Sequence, residues 1–134
     1  MTYLLDTTAF SAMMRRDAKV YARVAALAPT DRVVVCTITR GEVLYGLERL
    51  PHGKRRSDLA AAAMALFAQL LCLSVPETAA DRYATIKLAA EHKGTPLDEN
   101  DLWIAATALA TGAVLVTADS DFQRIDNLQM ENWT

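Results

Sequence analysis

The sequence predicts an α/β fold, a three-layer α/β/α domain built on a central, mainly parallel sheet of four to five strands. Short β-branched or apolar runs alternate with stretches of helical periodicity along the whole chain, and that order places helices on both faces of a parallel sheet. The run Arg32-Val33-Val34-Val35-Cys36-Thr37-Ile38 has the near-continuous apolar, β-branched character of a strand buried on both faces. The 134 residues, 52% of them hydrophobic, suffice for one packed core, so one domain spanning residues 1–134 is expected.

Taken in order, a short strand runs from Thr2 to Asp6 and a helical stretch from Thr7 to about Arg16. Lys19 to Ala28 repeats apolar residues at helical spacing and stops at Pro29, which cannot continue a helix. After the Arg32 strand, Thr39 opens a helix that ends near Leu50-Pro51. His52-Gly53-Lys54-Arg55-Arg56 reads as a basic loop, followed by a long Ala/Leu helix from Ser57. Leu71 to Val75 is a third strand closed by Pro76. A helix from Glu77 to about Lys93 ends at Gly94, a residue suited to a left-handed cap. Thr95-Pro96-Leu97 connects to an apolar helix, Glu99 to Thr111, that Gly112 terminates. Ala113 to Thr117 is the fourth strand, Ser120 to Arg124 a helical turn, and Leu128 to Met130 an edge strand.

The charge balance of 14 basic and 16 acidic residues leaves a net charge of −2, so no global positive field attracts a polyanion, and any such ligand must be gripped locally. The two cysteines, Cys36 and Cys72, lie in apolar runs and read as buried, inert thiols rather than a disulfide framework. The start of the chain lacks the basic flank and apolar stretch of a signal peptide. Leu59 to Leu73 is shorter than the roughly 20 apolar residues of a membrane span. A cytoplasmic protein with no membrane segment is expected.

The acids fall where such a fold binds ligands, beyond the carboxyl ends of the strands and at helix starts. Asp6 ends the first strand, Glu42 lies in the first turn after the second, Asp119 follows the fourth, and Asp101 opens the helix before it. Each also has an ordinary explanation. Asp6, Asp98 and Asp119 suit helix N-caps, and Thr39-Arg40-Gly41-Glu42 fits a capping box in which Glu42 reaches back to the Thr39 amide. Capping, however, does not require four helix starts to converge on one end of one sheet. If they converge, the carboxylates repel one another unless a cation is present. Hard Mg²⁺ or Mn²⁺ suits oxygen donors and activates water without His or Cys.

Other chemistries are poorly served. The only histidines, His52 and His92, sit in a basic loop and near a helix end, and with the two cysteines they match no zinc spacing. No Gly-x-Ser-x-Gly elbow and no phosphate-binding Gly-Lys loop occurs.

Four segments resemble the PIN-domain ribonucleases, and in particular the VapC toxins of bacterial toxin-antitoxin pairs. They are Tyr3-Leu4-Leu5-Asp6-Thr7-Thr8, Thr39-Arg40-Gly41-Glu42-Val43-Leu44-Tyr45-Gly46, Asn100-Asp101-Leu102-Trp103-Ile104-Ala105-Ala106 and Leu115-Val116-Thr117-Ala118-Asp119-Ser120-Asp121-Phe122. They follow the family order and span nearly the whole chain. The resemblance implies endonucleolytic cleavage of RNA, often tRNA or ribosomal RNA, with Mg²⁺ or Mn²⁺. Carried over by motif, Asp6 and Asp101 are the principal metal ligands, Glu42 completes the site directly or through water, and Asp119 takes the fourth acidic position. Thr117 orients carboxylates or waters, with a plain strand-end threonine as its alternative. Asp98 and Asp121 read as solvated caps. A metal-held water attacking the phosphodiester in line leaves 5′-phosphate and 3′-hydroxyl ends.

The same resemblance implies a small antitoxin partner whose tail reaches the acids, and a homodimer formed through helices. Leu44, Tyr45, Leu47 and Leu50, with part of Ser57 to Leu71, offer apolar surface for that dimer or simply fill the core. Arg15, Arg16, Lys54, Arg55 and Arg56 are candidates to track an RNA backbone. Two rival functions share parts of the pattern. A receiver-type signalling domain requires a mid-chain acceptor Asp and a late Lys, and the chain has no Lys after Lys93. A catalytically silent PIN-like RNA-binding domain requires no acids at all.

Overall fold

The computed structural model describes residues 1–134. Its strands are β1 (Thr2–Leu5), β2 (Arg32–Cys36), β3 (Leu71–Leu73), β4 (Val114–Val116) and β5 (Met130–Glu131). Its helices are α1 (Thr7–Met14), α2 (Ala18–Ala25), α3 (Thr37–Glu48), α4 (Lys54–Gln69), α5 (Glu77–His92) and α6 (Glu99–Thr111), with a 3-10 turn at Ser120–Arg124. The sheet order is β3-β2-β1-β4-β5 and every neighbouring pair is parallel.

Side-chain alternation along the strands divides the core between the two faces. Tyr3, Leu5, Val35, Val114 and Val116 point to one cluster, shared with Phe10, Met13, Val20 and Phe67 of the first four helices. Leu4, Val34, Cys36 and Leu115 point to the other, shared with Ile86, Leu102 and Ile104 of α5 and α6. Burial at this density is worth about 25 cal/mol per Å² of apolar surface, which holds β1 rigidly between its neighbours. Gly112, at φ +67, supplies the left-handed turn that ends α6 and sends the chain into β4. No helix is long and apolar enough to cross a membrane.

Four local expectations change. Helix α3 begins at Thr37, not Thr39, with Cys36 at its N-cap and no side-chain cap bond. Thr39 is therefore inside the helix and buried, where its hydroxyl donates to the Leu5 carbonyl, and the capping box with Glu42 does not form. The loop at residues 52–56 is shorter than its basic composition suggests, because Gly53, at φ +155, turns the chain into α4 at Lys54. Lys54 and Arg56 then face Asp58 and Glu48. Cys36 is buried but Cys72, on the outermost strand β3, is only half-buried. The edge strand forms at Met130–Glu131, two residues beyond the expected start at Leu128.

Candidate active site

After β1 the chain lays down β2 and β3 on one side and later β4 and β5 on the other, so β1 and β4 flank the point where strand order reverses. Open parallel sheets bind ligands in the crevice beyond the carboxyl ends at such a point. Asp6 is the first residue past β1, and its amide donates to the Val116 carbonyl at 3.0 Å. That bond fixes its backbone against β4.

The Asp6 carboxylate is buried, 3% exposed, and both of its oxygens are engaged. Oδ1 accepts from the Ala9 amide at 2.9 Å, as an N-cap of α1, and from the Thr8 hydroxyl at 2.7 Å. Oδ2 accepts from the Thr117 hydroxyl in a short bond. Thr117 Oγ1 in turn accepts from the Asp119 amide at 2.9 Å, and Thr8 Oγ1 from the Ala118 amide at 3.0 Å. Burial pushes the Asp6 carboxyl above its ordinary range, against the pull of these donors. Capping and site-building are thus the same contact in Asp6.

Glu42 is held differently. Thr7 Oγ1 donates to its Oε1 at 2.6 Å and Asn100 Nδ2 to its Oε2 at 3.3 Å, which ties α3 to the starts of α1 and α6. Asp119 accepts from the Asp121 amide at 2.9 Å and so caps the 3-10 turn. Asp98 caps α6 through the Asn100 amide, as expected of it. Asp121 faces Arg124.

Asp101 sits half-buried in the first turn of α6, with no hydrogen-bond donor recorded for its carboxylate. The preceding Glu99 is gripped by Tyr83 and Lys87 of α5, and Tyr83 stacks on Trp103 at 4.0 Å between ring centroids, which fixes this turn in place. The Asp101 carboxyl is pushed up to about 7, first by burial and then by the charges of Asp98, Asp119, Glu42 and Asp6. After burial, the charges that raise it come from Asp98 and from the other three expected acids, Asp119, Glu42 and Asp6. None of the four takes part in an ion pair.

The donor set is oxygen only, mutually repelling and without a basic partner, which fits a hard divalent cation. No three of these side chains stand close enough for a ready-made cage, so waters or substrate oxygens would complete the coordination, as Mg²⁺ ordinarily allows.

Two open grooves meet at Thr7. One of about 590 Å³ is lined by Glu42, Tyr45, Arg49, Asp98 and Asn100, and one of about 380 Å³ by Thr8, Ser11, Arg15 and Ala118. Of the expected basic residues only Arg15 lines either. Arg49, Asn100, Thr7 and Thr8 were not singled out by the sequence, although all but Arg49 adjoin a singled-out acid within two positions. A more enclosed cavity of about 200 Å³, between α5 and residues 124–127, shares no residue with the acids.

Carboxylates gathered at the switch point of an all-parallel α/β/α sheet, with no histidine among them, define an oxygen-only acidic site in the crevice where such folds bind ligands. The chain belongs to the PIN-domain family, whose model matches residues 3–128. It is 34% identical over its whole length to Ribonuclease VapC1 of Haemophilus influenzae strain R2866, covering 99% of that protein. Among solved structures it resembles a chain of VapBC2 from Rickettsia felis bound to a promoter DNA fragment, with a TM-score of 0.91 at 26% identity and full coverage of both chains. It also resembles a chain of VapBC-1 from nontypeable Haemophilus influenzae, with a TM-score of 0.88 at 32% identity, covering 99% and 98% of the two chains.

Proposed function

We propose that this chain is an endoribonuclease, the toxin of a VapBC-type toxin-antitoxin pair, dependent on Mg²⁺ or Mn²⁺ and acting within residues 1–134. The observation that carries the reading is the unpaired Asp101, raised to about 7 first by burial and then by the charges of Asp98, Asp119, Glu42 and Asp6, at the carboxyl end of an all-parallel sheet. Full-length identity to a protein named as a ribonuclease supports it.

Asp6 and Asp101 would hold the metal, with Glu42 and Asp119 beside it. Such an ion, when bound, supplies a water of lowered pKa and neutralises charge on a phosphodiester. The chain's own contribution is placement. Thr8, Thr117 and the Ala9 amide hold the Asp6 oxygens in one orientation, and Thr7 and Asn100 hold those of Glu42. Pre-set donors of this kind need no rearrangement when substrate arrives.

The substrate is RNA, with structured tRNA or ribosomal RNA as the class to test first. An antitoxin partner is supported by neighbours that are VapBC complexes. A cytoplasmic location follows from such a substrate. We also propose a homodimer. Leu47 packs on the core and Leu44 and Leu50 are half-buried, so the exposed apolar side chains of the expected surface are Tyr45 on α3, Met64 on α4 and Leu71 on β3, 64%, 47% and 54% exposed.

RNA cleavage with Mg²⁺, with EDTA, and by Asp6→Ala tests the function. Cleavage is expected only in the first case; activity that survives both losses would sink the proposal, and RNA binding without turnover would leave a silent RNA-binding domain.

A further inference from the structure

Resting on the ribonuclease reading, we propose that Tyr45 and Arg49 form a subsite for the nucleotide next to the scissile phosphodiester, the Tyr45 ring stacking on its base and Arg49 pairing with a phosphate. Glu42, Tyr45 and Arg49 follow one another at helical spacings of three and four, so they share one face of α3. From Glu42 to Arg49 that face extends about 10 Å, the reach of a nucleotide or two from the acids.

The Tyr45 ring is 64% exposed, the highest exposure among the large aromatic side chains. The Arg49 guanidinium lies over it, 5.5 Å from the centroid, and makes no ion pair. Both line the groove that contains Glu42 and Asn100, and Arg49 is the one cation among its walls. In a chain of net charge −2, with an acid cluster at the groove's inner end, a polyanion needs such a local cation. An aromatic face beside an arginine is the usual platform for an unpaired base and its backbone.

The backbone of α3 points the same way. Gly41 and Gly46 lie inside the helix and line this groove, and a Cβ at either would meet nothing within 4 Å. Packing within the chain therefore does not require them, and neither has positive φ. Glycine in a helix interior weakens it but permits close approach to the backbone. A strand of RNA lying along α3 uses that approach.

The test uses the full chain carrying Asp101→Asn, so that binding is read without turnover, and a short unstructured RNA with 2-aminopurine walked along its positions. Quenching is expected at one position. Tyr45→Leu should abolish it and weaken binding about 10-fold, while Tyr45→Phe restores both. Arg49→Ala should weaken binding and lower the salt dependence by about one phosphate contact. In the chain with Asp101 intact, Tyr45→Leu should raise KM and leave kcat unchanged. Tyr45→Leu that binds and quenches as before overturns the subsite while leaving the ribonuclease reading intact. So does a Tyr45→Leu chain that sediments as a monomer where the parent is a dimer, because the ring then belongs to a contact between copies. A parent chain that neither cleaves nor binds RNA removes both readings.

Discussion

Asp6 and Asp101 share one electrostatic field and are held in opposite ways. Asp6 is buried with every carboxylate oxygen accepting a hydrogen bond, and its amide is locked to β4. Asp101 is half-buried, without a donor, and repelled by four other carboxylates. One side of the crevice is finished by folding alone; the other is left in tension that only a proton or a cation relieves. A buried polar group stabilises when its partners are all present and costs when they are missing. The two acids therefore should agree in their effect on activity and disagree in their effect on stability.

The largest effect tests that pairing. Asp6→Ala and Asp101→Asn should each lower kcat by about 10³-fold or more, since each removes a proposed ligand of the metal. Asp6→Ala should also destabilise the chain by about 2–3 kcal/mol, through loss of the α1 cap and of the acceptor for Thr117. Asp101→Asn should raise the melting temperature in EDTA. Melting curves of the two variants that move together would break the contrast.

A pH series comes next. In the folded chain the Asp101 carboxyl titrates near 7, against an ordinary value of 3.8. Between these values the folded state binds more protons than the unfolded state, so the stability contributed by Asp101 falls as pH rises and is lost above 7. Asp6, also raised, adds the same sign. The difference in denaturation midpoint between the parent and Asp101→Asn, measured in EDTA, isolates this slope, and excess Mg²⁺ should flatten it. A difference that grows in the parent's favour with rising pH would refute the assignment.

Smaller effects sharpen the boundary between the two sides. Thr117→Val should cost about 1–2 kcal/mol and reduce kcat, because an oxygen of buried Asp6 loses its donor. Asn100→Ala touches only the half-buried Glu42, so unfolding midpoints should shift by less than about 0.5 kcal/mol while steady-state cleavage still falls.

Much of this was legible from local chemistry. The strands and helices follow from apolar periodicity, Gly94 takes the left-handed conformation expected of it, and Gly112 ends α6. Places at strand ends and helix starts raised the convergence of Asp6, Glu42, Asp101 and Asp119 as a condition only, and Glu42 lies a turn further into α3 than its motif suggests. The errors lie where tertiary contacts override a local signal. Thr39 has the look of an N-cap, yet its hydroxyl turns to the Leu5 carbonyl across the sheet and the helix starts two residues earlier. Lys54 to Arg56 look like a loop because nothing local announces that Gly53 will start a helix. Arg49 was invisible because its importance is positional: it lies two turns from Glu42 on a face defined only once α3 is docked. Thr7 and Asn100 were quoted within motifs, but their shared grip on Glu42 joins residues 35 and 58 positions apart from it.

The central position of β1 has a consequence for synthesis. Thr117, which closes the hydrogen-bond set of Asp6, follows it by 111 positions, and β4 must be in place before the Asp6 amide finds its carbonyl. A growing chain lacks these contacts until β4 has emerged from the ribosome, and long-range parallel pairings form late and slowly. Until then Asp6 has neither its backbone lock nor its full set of donors, so the proposed cleavage waits on the docking of β4.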